Sequence, residues 1–329
     1  MLSDSDFMPV SLSDRDFFRR HYQNYPQVHS DNTFTNMVCW NDYAHYRYAY
    51  VEGCIVLSST IAGMTRYRPP IGPRNPKLLE EVLRLAIKSE EEHSLVILDP
   101  DSKEWIANLF PGLQFHAERR YFEYVYLATD LAELPGKKYL TIRHQLNKFQ
   151  KTCMPLVEII SESNIGEVRD FVDLWCDWKD CDSDPVLASE KDALSFALSH
   201  HEELQLSGLA IRAKGKIGAI SLFEGLNKDT ALVHFEKGLS DCKGIYRAIN
   251  AETARILARD YIYINRESDM GVEGIREAKM RYRPHHMVEV HLLKRDDLEI
   301  GSLKAESRAD RCTTDRYTAE VRPSMQCRR

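Results

Sequence analysis

The sequence predicts an α/β (α+β) chain of two tandem domains whose sheets are mixed and mostly antiparallel. Three observations carry this. The chain has 329 residues, enough for two cores of ordinary size. Its apolar runs, such as Cys54 to Leu57 and Leu95 to Leu98, are strand-sized and alternate with stretches of helical periodicity. The order of these elements is similar in the two halves, as a duplicated unit would be.

In chain order, a helix is expected from Ser13 to Asn24, with Asp14 and Asp16 in its first turn, Arg19, Arg20 and His21 near its end, and Pro26 to stop it. Phe34 to Tyr67 is rich in Tyr, Val, Ile, Thr and Trp and broken by Asn41-Asp42, Glu52-Gly53 and Ala62-Gly63, which predicts antiparallel strands joined by tight turns. Pro76 opens a helix to about Glu92 with a broad apolar face. A strand at Leu95 to Leu98, a helix at Ser102 to Leu109 and a strand-rich stretch from Phe115 to Leu127 complete the first half. Gly136 to Lys151 carries Lys137, Lys138, Arg143, Lys148 and Lys151 without one acidic residue and keeps an apolar edge, so it reads as a basic bridging helix. The second half runs strand (Leu156 to Ile160), helices (Asn164 to Asp180, Ser189 to Leu204), three strands (Leu209 to Ala213, Ile217 to Phe223, Ala231 to Phe235), a helix from Ile245 to Arg259, and a final strand from Met287 to Leu293. The expected division is residues 1–135, a basic linker helix at 136–152, a second domain at 153–297, and a mobile tail at 298–329.

Composition excludes several function classes. A net charge of -6 is wrong for a surface coated for nucleic acid, though local basic patches remain possible. No apolar run approaches the roughly 20 residues a membrane span needs, so contact with lipid would be peripheral. Eight cysteines without a CxxC pair and no signal-like N-terminus predict reduced thiols in the cytoplasm. His285, His286, Glu289 and His291 are the only metal-like cluster, and on one strand His286 and His291 would face opposite ways, so no metal is expected.

The richest stretch is Tyr261 to Pro284, YIYINRESDMGVEGIREAKMRYRP. It reads as a strand, a polar turn with Gly271 and Gly274, and a helix on which Arg276, Lys279 and Arg283 share one face. Glu267 and Asp269 sit at the helix mouth beside those cations, an arrangement suited to an anionic or carbonyl ligand and equally to a salt-bridged surface.

Two helices, an antiparallel meander and a helix reached through a Gly-containing loop match the layout of a GNAT-type acyltransferase domain. Free amides at the start of the Ile245 helix, preceded by Lys243 and Gly244, can hold a phosphate. The loop carries one glycine after Gly238 where acyl-CoA-binding versions carry two, which weakens the CoA reading.

The whole chain, from about residue 8 to 293, resembles soluble relatives of the C-terminal domain of phosphatidylglycerol lysyltransferase, a tandem-GNAT family related to the FemABX aminoacyltransferases. The likeness lies in Asp31, Phe34, Asn36 and Trp40, in Asp130-Leu131 with Leu134, Gly136, Lys137 and Lys138, in Arg143 with Leu146 to Phe149, and in Glu236-Lys237, Lys243-Gly244 and Asn250. Above all it lies in the pattern N-R-E-x-D-x-G-x-x-G-hydrophobic-R-x-A-K-x-x-Y-x-P from Asn265 to Pro284. The resemblance implies an acyl- or aminoacyl-transferase needing no metal or redox cofactor, with aminoacyl-tRNA or acyl-CoA as donor and an amine, hydroxyl or lipid headgroup as acceptor. Lys243, Gly244, Arg143 and Lys148 would hold the donor's phosphates; Arg276 and Lys279 an anionic acceptor or the oxyanion; Glu267 or Asp269 would take a proton or bind an ammonium. A non-catalytic module that binds RNA or another anion is the alternative from a different class.

Overall fold

The computed structural model describes residues 1–298. Two seven-stranded mixed sheets form the molecule. The first is ordered Met8–Pro9, Arg47–Val51, Cys54–Ile61, Met64–Tyr67, Leu95–Leu98, His291–Leu293, His116–Ala117. The second is ordered His286–Val288, Glu123–Leu127, Tyr263–Asn265, Thr230–Gly238, Lys216–Gly225, Ser207–Ala213, Leu156–Ile159. Each sheet therefore contains a strand from the opposite half of the sequence.

Both sheets bury both faces, and the two-residue period of a strand assigns alternate side chains to different cores. Along Cys54–Ile61, Cys54 and Val56 join the core under the helix Pro76–Lys88, while Ile55 and Leu57 join a central core. That central core also takes Phe18, Phe34 and Met37 from the first half and Phe171, Leu194, Ile220 and Phe235 from the second. A third core lies between the second sheet and the helices Ala128–Glu133, Leu140–Cys153 and Ile245–Leu257.

Several helices start where the sequence sets a cap. Asn75, Asp99 and Asp184 each accept an amide of the following turn, and each is followed by proline, which suits the first helical position. The basic stretch forms the helix Leu140–Cys153. Residues 34–44 depart from expectation: they form the helices Phe34–Cys39 and Asn41–Ala44, and strands begin only at Arg47. All six residues of the first are buried, so no helical periodicity marks it, and Thr33 caps it by accepting from the Asn36 amide at 3.2 Å. Tertiary burial outweighs the β propensity of these residues. The single strand expected from Met287 to Leu293 is two, because the chain leaves one sheet at Val288 and joins the other at His291. The helix expected from Ser189 begins at Pro185 and breaks at His200.

The expectation of reduced thiols is corrected. Cys153 is paired with Cys242 and Cys176 with Cys181, at Cα separations of 6.2 and 5.3 Å. The first ties the end of the basic helix to the loop before Ile245, partners that meet only through the fold, whereas the second is local, closing the turn after the helix Ile165–Lys179 at a spacing that is not a CxxC pair. Cys39 and Cys54 are free and buried. Cys312, Cys327 and nearly all of the stretch expected to be a tail lie outside the described residues. Among the described residues no helix is long and apolar enough to cross a membrane.

Because Glu123–Leu127 has both its neighbours in the last third of the chain, a fragment of residues 1–135 leaves it unpaired. Such a fragment is expected to lack a cooperative urea transition by circular dichroism, in contrast to the full chain.

Candidate active site

Thr230–Gly238 and Tyr263–Asn265 run parallel for three residue pairs, the last being Leu232 with Asn265. The short strand then ends while its neighbour continues, so the two part. At that point Leu222 pairs with Phe235 but Phe223 with Val233, leaving His234 as the extra residue of a β-bulge. A bulge re-aims a side chain. Here it sets His234 Nε2 2.8 Å from Glu224 Oε1 and Nδ1 3.5 Å from Glu267 Oε1. Burial opposes the imidazolium, but the two carboxylates outweigh it and raise its pKa to about 9. His234 is 2% exposed, whereas the Glu267 side chain is 31% exposed.

Arg266 occupies the gap between the parted strands. Its Nη2 lies 2.8 Å from Glu236 Oε1, and its guanidinium lies over the rings of Tyr126 and Tyr282. In the amide orientation that satisfies both groups, Asn250 accepts from Arg266 Nε and Nη1 at 3.1 Å each.

The turn after Asn265 is built around a carboxylate with no exposed surface. Asp269 accepts from Arg276 Nε (2.8 Å) and Nη2 (3.0 Å), Arg119 Nη1 (3.2 Å), Tyr124 Oη (2.6 Å) and the Gly271 amide (2.8 Å). Burial would push its carboxyl up; the donors, led by Arg276 and Tyr124, hold it well below the usual carboxylate range. Lys279 Nζ donates to the carbonyls of Arg266, Glu267 and Ser268, and burial together with the Arg266 charge lowers its pKa to about 8. These bonds hold Glu267 (φ 56°) and Met270 (φ 51°) in the left-handed region, which L-residues seldom adopt without such restraint. Gly271 (φ 81°) needs its missing β-carbon; nothing in the structure explains Gly274.

A second buried carboxylate joins the halves. Glu123 accepts from the Ser30 amide at 3.1 Å and from Asn265 Nδ2 at 2.6 Å, with His29 3.5 Å away. Burial raises its pKa against the pull of His29 and Ser30.

Of the expected site residues, Glu267, Asp269, Arg276 and Lys279 come together, but whereas Asp269 is enclosed by two arginines, Glu267 pairs only with His234 and keeps part of its side chain exposed. The donor group is distributed differently. Arg143 donates to the carbonyls of Leu134 and Gly136. Gly244 (φ 107°) lies so close to the basic helix that a β-carbon would sit 3.2 Å from Phe149 Cβ and 3.3 Å from the Gln145 carbonyl. The amides of Ile245, Arg247 and Ala248 bond within that turn, to Cys242 and Gly244. Lys148 and Lys243 are exposed. Beside the basic helix lies a groove of about 1040 Å³, lined by Arg119, Lys138, Gln145, Arg247, Arg281 and Arg283 along with His285 and His286, and by no carboxylate. Arg247 Nε and Gln145 Oε1 are buried there without hydrogen-bond partners among the described residues. Arg119 lines the groove and also bonds Asp269, so groove and turn are adjacent. His234, Glu123 and Arg247 went unseen in the sequence: each lies in an ordinary strand or helix pattern, and only the bulge or packing reveals it.

The profile described as phosphatidylglycerol lysyltransferase, C-terminal, matches residues 22–294. The chain belongs to that family. A conserved protein of unknown function from Bacteroides thetaiotaomicron is 29% identical, with a TM-score of 0.82 over 88% of this chain and 98% of its own. The C-terminal domain of a putative lysylphosphatidylglycerol synthetase from Agrobacterium fabrum is 13% identical at a TM-score of 0.60, covering 90% of this chain and 97% of that one. The L-PGS of Bacillus licheniformis is 12% identical at a TM-score of 0.60, covering 85% and 91%. No curated protein matches. The tandem-GNAT, FemX-like fold expected from the sequence is the fold of this family member. The family pattern from Asn265 to Pro284 now has a physical reading: a clamped turn, with Glu267 at its tip.

Two outcomes follow from the clamp and the bulge. Asp269→Ala strands two arginines beside a buried void and is expected to lower stability by about 3 kcal/mol in urea unfolding, with Arg276→Ala lowering it less because that side chain is 40% exposed. His234 gains a proton affinity on folding, from 6.5 to about 9, so its stabilisation is complete below pH 6.5 and lost as pH rises through 9. The urea midpoint of the wild type should therefore fall over that window relative to His234→Gln.

Proposed function

We propose that this protein is an aminoacyltransferase that moves an aminoacyl group from a charged tRNA to an amine or hydroxyl acceptor, a lipid headgroup among the candidates. The observation that carries this reading is Glu267: a half-buried carboxylate on a restrained turn, beside a buried imidazolium and next to a cationic groove. An aminoacyl ester is already activated, so the site's work is positioning and proton transfer. The acceptor nucleophile attacks the ester carbonyl and loses its proton to Glu267. The bond from the carbonyl carbon to the ribose oxygen breaks, and the proton passes to that leaving oxygen. Asp269, Arg276 and Lys279 act by holding the turn. Arg247 and Arg283, which have no ion-pair partner among the described residues, receive donor phosphates in the groove, with Lys148 and Lys243 available to the outer part of a large polyanion.

Acyl-CoA as donor has less support. The gap between the parted strands is filled by Arg266 and Glu236, and the turn before Ile245 uses its amides internally.

The test is consumption of radiolabelled aminoacyl-tRNA with amine, hydroxyl and phospholipid acceptors. Glu267→Gln should slow transfer by about 100-fold or more. Arg247→Ala with Arg283→Ala should weaken tRNA binding and flatten its salt dependence by about one unit of log-log slope per lost phosphate contact. No transfer from any charged tRNA, together with thermal stabilisation by acetyl-CoA, would replace this reading with the acyl-CoA enzyme.

A further inference from the structure

The strand Leu156–Ile159 is the outermost of the second sheet and bonds on one side only, to Ser207–Ala213. The Ile160 amide donates to the Gly208 carbonyl, so by the two-residue period the even-numbered residues turn their backbone inward. The N–H and C=O groups of Val157 and Ile159 therefore point outward. Edges are usually blunted by charge, bulges or covering elements. This one has Pro155 just before it, and its single charge, Glu158, is held by Arg212 Nε at 2.6 Å. The side chains are apolar and open: Leu156 is 58%, Val157 39% and Ile159 71% exposed, with Met154 at 82% beside them.

The helix Ile165–Lys179 continues this surface. Arg212 links Glu158 to Glu167 at 2.6 Å, which sets Glu167 beside the edge. Leu174 and Trp178 follow Glu167 on the same helix face and are 53% and 47% exposed.

We propose that a second copy of this chain pairs across this edge, antiparallel about a two-fold axis at Glu158. In that register Val157 stands opposite Ile159 of the partner subunit and exchanges both backbone hydrogen bonds with it, and symmetry repeats the pair. An identical strand is the fitting occupant for three reasons. Its outward donors and acceptors are self-complementary, its β-branched side chains meet as a cross-strand pair, and each Glu158 arrives already neutralised by its own Arg212. So short a strand alone falls below the about 800 Å² per partner of a stable interface, and Leu174, Trp178 and Met154 supply the rest.

The proposal is independent of the transferase reading, since its test measures mass. Light scattering on the full-length chain across a range of protein concentration should give twice the chain mass. Ile159→Lys, at a position that is open in the single subunit, should weaken association at least tenfold with an unchanged circular dichroism spectrum. Val157→Lys serves the same purpose should the first variant fold poorly. A wild type that stays monomeric at the highest concentration, or a dimer that survives both lysine variants, overturns the proposal.

Discussion

A carboxylate sealed from water is tolerable only with cations and donors around it, and Asp269 has two arginines, a tyrosine and a backbone amide. Those partners come from separate parts of the chain. Arg276 belongs to the following helix, Gly271 to the turn itself, and Arg119 and Tyr124 to the first half of the sequence. Satisfying one buried charge thus fixes the turn, the helix after it and the strand Glu123–Leu127 relative to each other. Lys279 completes the constraint by donating to three successive carbonyls, so the backbone at Glu267 has no freedom to relax from its left-handed conformation. The tip of the turn is presented because everything beneath it is bonded.

The same economy explains why the two halves share strands and a core. Glu123 lies in a strand of the first half, yet its partners are Ser30 and Asn265, one near each end of the described chain. Phe18 and Phe34 pack in the same core as Ile220 and Phe235. A cleft between two independent domains could open freely; here the strand exchange and the Glu123 network tie the floor of the site to both sheets. This geometry favours a preorganised site over one assembled by domain closure.

Much of this was legible in the sequence, and the failures have identifiable causes. Tyr261 to Pro284 read correctly in order as strand, turn and helix because its polar residues and glycines mark boundaries, but the helix ends at Met280, and Arg283 (φ 54°) lies beyond it instead of sharing the face of Arg276 and Lys279. That Asp269 lies at the mouth of the helix carrying Arg276 was legible from their order in the sequence, but the complete burial of Asp269 was not, and that burial turns a ligand-like carboxylate into a clamp. The helix Phe34–Cys39 hid because it is buried all round and so lacks a polar face. His234 hid because a bulge is a property of pairing between two strands, invisible in either alone. The Cys153–Cys242 disulfide and the groove around Arg247 likewise depend on contacts between elements far apart in sequence.

Counting charges along the chain also misleads about which are available. Arg143, Arg266, Arg276 and Lys279 look like a reservoir of cations for a ligand, but each is committed to carbonyls or a carboxylate within the fold. The cations left open lie elsewhere, in a groove whose lining includes no carboxylate on a molecule of net charge -6. Lys138, Arg281 and Arg119 there are paired with Asp130, Glu277 and Asp269, so Arg247 and Arg283 are the lining charges left to focus the field on an incoming anion. The carboxylate at the turn has its own partner, the His234 imidazolium 3.5 Å away, while Arg119 and Arg276 are committed to Asp269. In the proposed reaction the open cations of the groove and the Glu267 carboxylate would have separate roles, and Arg119, which lines the groove and bonds Asp269, is the side chain that links the two.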